Sequence, residues 1–72
     1  MIEKKELDAM VEVLTLAIAR QEAEEHIFRR SAEKSTSETA KNLFEEIAED
    51  LRRYRETLEG RKGNLLKTSR DL

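Results

Sequence analysis

The residues in this sequence that could do chemistry are few. His26 is the only histidine, and cysteine is absent. Glu22 precedes His26 by four residues, the spacing that puts two side chains on one face of a helix. A carboxylate and an imidazole so placed form half of a metal site. Two ligands hold a metal weakly, and positions 22 and 26 fall beside the apolar stripe of their helix rather than in it. His26 therefore reads as a surface or boundary residue. Gln21 is different: it stands inside an otherwise apolar stripe. A buried amide without partners costs about 1–3 kcal/mol, so Gln21 is expected to bond the Tyr54 hydroxyl, or Gln21 of a second copy, and to fix alignment. Tyr54 reads as a core ring with its hydroxyl bonded.

The remaining charged residues suggest no reaction. Glu22, Glu24, Glu25, Glu45, Glu46, Glu49 and Asp50 are acids on helical surfaces, and runs of this kind are normally solvated faces. Arg52, Arg53, Arg55, Arg61 and Lys62 make a local basic patch. With three aromatic residues and a net charge of −2, the chain does not read as a nucleic-acid binder. No Ser–His–Asp set can be assembled around one histidine. Gly60 and Gly63 lack the strand–turn–helix setting of a phosphate loop. The absence of cysteine excludes a disulfide scaffold, a thiolate zinc site and a thiol nucleophile.

The elements that would position these side chains are helical. Charged residues are 42% of the 72, hydrophobic ones 38%, and there is no proline, a balance that favours long helices. Leu7, Met10, Leu14, Ala17, Phe28 and Ala32 recur at helical spacing, widened by Val11, Ile18 and Ile27. A second stripe reads Ala40, Leu43, Phe44, Ile47, Leu51, Tyr54 and Leu58. No segment alternates with period two, so no strand is expected. Between the stripes, Ser35-Thr36-Ser37 favours caps over helix interior. Ser35 with Glu38 fits a capping box, and Ser37 fits a plain N-cap. Gly60 suits a helix C-cap.

These signals predict helix 1 over about 4–33 and helix 2 over about 37–59. Together they form a hairpin domain over 1–60, followed by a short basic tail over 61–72. A loop this short makes the helices antiparallel neighbours. Phe28 should then lie near Phe44, Ala32 near Ala40, Gln21 near Leu51 and Ile18 near Tyr54. Glu22, Glu24 and Glu25 should meet the level of Arg52, Arg53 and Arg55. A lone hairpin leaves apolar surface on both helices facing water, and one core below about 70–80 residues rarely supplies more than about 3–5 kcal/mol. A homo-oligomer is expected, most simply a dimer.

The stretches Leu16-Ala17-Ile18-Ala19-Arg20-Gln21, Ile27-Phe28 and Ser31-Ala32-Glu33-Lys34 resemble the first helix of a rubrerythrin half-domain. The stretch from Ala40 to Asp50 resembles its second helix. The resemblance covers about residues 16–58. It implies a ferritin-like fold, in which two hairpins make an antiparallel four-helix bundle around two irons that handle peroxide or oxygen. Position by position, the family's helix-1 glutamate falls on Gln21, and the Glu and His of its Glu-x-x-His fall on Leu51 and Tyr54. An amide, an alkyl chain and a phenol cannot replace carboxylates and imidazole around iron. The resemblance thus implies the fold and argues against the activity.

The resulting expectation is an all-α, non-catalytic, ferritin-like protein acting through homo-oligomeric assembly, with no metal or cofactor. Two alternatives stand beside it. One is an iron-binding oxidoreductase of the rubrerythrin type with displaced ligands drawn from Glu22, Glu25, His26 and Glu49. The other is a helical adaptor that binds a further protein of unknown identity. No apolar run spans a membrane and no secretory leader is visible, so a cytoplasmic location is the expectation.

Overall fold

The computed structural model describes residues 2–71. They form two helices, α1 (Lys4–Lys34) and α2 (Glu38–Arg70), folded back on each other as an antiparallel hairpin. The molecule is a rod of 53 × 14 × 14 Å.

The turn is built from its serines. The Ser37 side chain accepts the Ala40 N–H at 3.3 Å, and its carbonyl accepts the Lys41 N–H at 2.9 Å, so Ser37 is the N-cap of α2. Ser35 serves the other helix. Its hydroxyl donates to the Ser31 carbonyl at 2.8 Å and its N–H to the Ala32 carbonyl at 3.2 Å, which closes the last turn of α1. Of the two capping arrangements open to the sequence, the plain Ser37 cap is the one formed.

The far end of α2 departs from expectation. The helix does not stop near residue 59 at a Gly60 cap. It runs through Gly60 and Gly63 to Arg70, so 61–70 are helix rather than tail, Thr68 included. The physical reason lies in α1. Leu7 and Val11 begin the α1 stripe, and in an antiparallel hairpin only residues beyond Leu58 can cover them. Lys62, Leu65 and Ser69 continue the α2 stripe at the required spacing and are half-buried. That packing outweighs a glycine penalty of about 1 kcal/mol per site. Neither glycine adopts a positive φ. Met1 and Leu72, the extremes of the expected hairpin and tail, lie outside the described residues.

The contact line follows a 3–4 alternation on both helices. On α1 it runs through Leu7, Val11, Leu14, Ile18, Gln21, Glu25, Phe28 and Ala32. On α2 it runs through Phe44, Ala48, Leu51, Arg55, Leu58, Lys62 and Leu65. Leu7, Ala32, Ala48 and Leu58 are its buried apolar members, and Phe28 meets Phe44 with ring centroids 6.1 Å apart, as the facing map requires. Tyr54 is corrected. It is 54% exposed in the hairpin, because the alternation passes from Leu51 to Arg55 and leaves Tyr54 at its edge. Met10, Ile27 and Leu43, also assigned to the stripes, are exposed for the same reason.

A methyl group added at Gly60 or Gly63 would meet nothing within 4 Å. Gly60→Ala and Gly63→Ala should each stabilise the protein by about 0.5–1 kcal/mol through helix propensity alone. Thermal melts followed by circular dichroism should show both midpoints raised.

Candidate functional site

The two sides of the hairpin differ in chemistry. Beyond the contact line, one side carries Glu22, Arg29 and Glu33 from α1 with Glu45, Glu49, Arg52 and Glu56 from α2. The other carries Met10, Val13, Ala17 and Ile27 with Leu43, Ile47 and Tyr54.

On the charged side, an ion-pair lattice ties the helices together. Glu25 is the one charged residue that is buried among those described, at 9% exposure. One of its carboxylate oxygens accepts from Arg55 across the hairpin; the other accepts from Arg29 Nε, one turn along α1, at 2.7 Å. Arg29 reaches on to Glu49 of α2 at 3.5 Å. Arg52 Nε lies 3.1 Å from both oxygens of Glu49, and Arg52 also pairs with Glu56. Arg55 is further paired with Glu59 at 3.3 Å. Of the acids and arginines expected to meet at this level, the structure pairs Glu25 with Arg55, and it adds Arg29–Glu49, a pair outside that set.

The lattice sets the titration of its members. Hydrogen bonding to Arg29, opposed by burial and joined by Arg55, holds the Glu25 carboxyl below its ordinary value. Glu49 is held down to about 2, chiefly by its hydrogen bond with Arg52. Arg52 and Arg55 are raised, each mainly by hydrogen bonding to its carboxylate, Glu49 and Glu25 respectively.

The residues marked for chemistry do not converge. Glu22 and His26 are exposed on the shoulder of α1 and share a shallow depression of about 250 Å³ with Glu25, Arg29 and Arg55. Glu25 and Glu49, the other alternative ligands, already have their oxygens on guanidinium groups. No three His, Asp or Glu side chains among the described residues are grouped to hold a metal ion. The former-ligand positions are similarly dispersed. Gln21 and Leu51 are half-buried in the contact line, and Tyr54 stands outside it. The expected satisfaction of Gln21 is corrected for the single hairpin: its Oε1 is buried without a hydrogen-bond partner. Tyr54 lies beside the contact line rather than in it, so its hydroxyl does not supply the bond.

The opposite side is the feature the stripes concealed. Val13, Leu16, Ile27, Leu43 and Tyr54 are each more than half exposed, and Met10 is 42% exposed. Near the open end, Ala9, Met10, Val13 and Leu14 face Arg61, Asn64 and Leu65 across a groove of about 620 Å³. The signal was present in the sequence. The first stripe, with Met10 and Ala17 in it and Val11, Ile18 and Ile27 widening it, and the second, with Leu43, Ile47 and Tyr54, are together broader than one helix–helix contact can cover. The arrangement as a whole is an exposed side rich in apolar residues, backed by a charged face that water can solvate.

The chain matches no protein-family model, and neither a curated protein nor a solved structure matches it. No helix among the described residues is long and apolar enough to cross a membrane.

Both shifted carboxylates bind a proton less readily in the folded state than in the unfolded one. Their contribution to stability is therefore complete above the ordinary value of 4.5 and declines as pH falls through the folded values, toward about 2 for Glu49. Helicity followed during acid titration should fall across that window. Glu25→Gln should lower the melting temperature at pH 7 more than Glu49→Gln, because only Glu25 is buried between the helices. Solvent screening diminishes the effect at Glu49.

Proposed function

We propose that this chain is a small, non-catalytic helical subunit of the rubrerythrin and ferritin-like kind that acts through homo-oligomeric assembly. In this reading the positions of a di-iron site, Gln21, Leu51 and Tyr54, have been given over to packing. The observation that carries it is the apolar face. Among the described residues four apolar ones are buried, a small core for a chain of this length. The face comprising Met10, Val13, Ile27, Leu43 and Tyr54 supplies the apolar area that the core lacks. Large apolar side chains gathered on one exposed side favour an interaction site, and a second hairpin laid on that side would make a four-helix bundle.

Light scattering at micromolar concentration, with elemental analysis of the same sample, tests both halves of the proposal. The expected result is twice the 8.4 kDa chain mass, or a multiple, with no stoichiometric metal. A stable, folded monomer would sink the assembly reading. Stoichiometric iron would replace the non-catalytic reading with the displaced-ligand oxidoreductase.

The inherited-site alignment has its own test. The triple change Gln21→Glu, Leu51→Glu and Tyr54→His gives a dimer four carboxylates and two imidazoles facing a shared interior. Without metal this variant should melt below the parent, because crowded carboxylates resist ionising together in a low-dielectric core. Iron(II) should raise its melting temperature and leave the parent's unchanged, since a ligand that binds only the folded state stabilises it. A folded variant indifferent to iron(II) refutes the alignment.

A further inference from the structure

The groove near the open end has apolar walls and one charged member. Met10, Val13 and Leu14 of α1 and Leu65 of α2 form the walls, and the exposed Arg61 and Asn64 complete the lining. Its volume of about 620 Å³ falls among small-molecule sites, roughly 300–1,000 Å³, which combine apolar linings with a few placed polar groups. We propose that this groove binds a singly charged amphipathic anion: a medium-chain carboxylate, its head on Arg61 and its alkyl tail along Met10 and Leu65. Both walls belong to one chain, so the inference goes beyond the assembly reading and does not depend on it.

The charge of the ligand follows from Arg61. Arg20, Arg29, Arg52, Arg53 and Arg55 each pair with a carboxylate. Arg61 enters no ion pair among the described residues, and no acid lines the groove. On the same side of α1, Glu6 lies one turn before Met10. Glu24 lies three turns beyond Val13, where it holds Arg20 at 3.6 Å. Arg61 is therefore a cation set against hydrocarbon. An anion with an alkyl tail satisfies both at once. A guanidinium fits a carboxylate through two parallel N–H donors, and Asn64, three residues along α2, offers a further donor. One unpaired cation suits one negative charge better than a phosphate monoester, which carries about two.

The order of the residues gives the ligand a direction. Leu65 lies one turn nearer the open end than Arg61, and Glu6 lies beyond Met10 at that end. The carboxylate is drawn to Arg61 and kept from the far end by Glu6, so the tail runs toward the open end. The depressions on the charged side differ. One is lined by Glu22, Glu25, His26, Arg29 and Arg55, and both arginines there already hold Glu25. It offers neither hydrocarbon nor an unengaged cation.

Calorimetric titration with octanoate, decanoate and dodecanoate, below their micelle-forming concentrations, tests the proposal. Saturable binding is expected, with affinity rising about two- to fourfold per added methylene. Arg61→Gln should weaken decanoate about tenfold, the loss of a charged hydrogen bond, and leave the uncharged decanol unchanged. Val13→Asp should weaken both. Arg61 and Val13 are exposed and outside the contact line, so both variants keep the hairpin, as circular dichroism will check. Absence of saturable binding, decanoate binding indifferent to Arg61→Gln, or equal binding of decyltrimethylammonium each overturns the proposal. Light scattering on the same samples reads assembly separately. Decanoate binding by a monomeric chain supports the proposal even though the assembly reading then fails. Binding that appears only on dilution to the monomer makes a second copy the occupant of the groove. That result overturns the proposal and leaves the assembly reading standing.

Discussion

A pair of helices can hide only one stripe of each. That constraint governs this molecule. An antiparallel contact covers the side chains on a 3–4 alternation and leaves the columns on either side of it to water. Helices of 31 and 33 residues make that contact long, yet its full burial reaches only Leu7, Ala32, Ala48, Leu58 and Glu25. Whatever the flanking columns hold decides how the hairpin behaves toward its surroundings. Here one flank is a lattice of ion pairs, and the other carries most of the exposed large apolar side chains, interrupted by charges such as Arg20, Glu24 and Arg61.

The middle of the contact line is polar, and this shapes the energetics. Gln21 and Glu25 are consecutive members of the α1 alternation, and Arg55 lies in the α2 alternation. The Glu25–Arg55 pair, with Arg29 beside it, offsets the desolvation of a buried carboxylate by filling both of its oxygens with charge-assisted bonds. Its physical consequence is alignment: sliding one helix past the other by a turn would strand Glu25 against apolar side chains. Gln21 has no such provision inside the hairpin. The level of Gln21 and Tyr54 is thus the least complete part of the single hairpin, with a buried amide oxygen unpartnered and a ring half exposed.

The same level accounts for the loss of a metal site in the proposed reading. Iron needs several hard anionic donors converging on one volume. In this hairpin the nearby carboxylates of Glu25 and Glu49 are turned to guanidinium groups on the charged side. Their lowered proton affinities express that engagement. Leu51 supplies only van der Waals contact. Binding an ion here would require breaking the pairs that hold α1 to α2.

Local chemistry made much of this legible in the sequence. Helical periodicity and the absence of proline defined two helices. The serines placed the turn, because their oxygens cap helix ends better than they serve helix interiors. The short loop dictated antiparallel neighbours and hence the Phe28–Phe44 contact. Other features were decided only by the tertiary structure, since they depend on what stands opposite. Gly60 is a sound C-cap by its own preferences, yet the uncovered start of α1 recruits residues 61–70 into helix. Tyr54 and Leu43 belong to an apolar stripe when one helix is read alone. The choice of contact line puts Arg55 inside and leaves both exposed. The pairing of Glu25 with Arg55, thirty residues apart, was likewise confined by sequence to a level of several acids and arginines. Only the rotation of the two packed helices selected these partners, because rotation determines which column faces inward and which faces water.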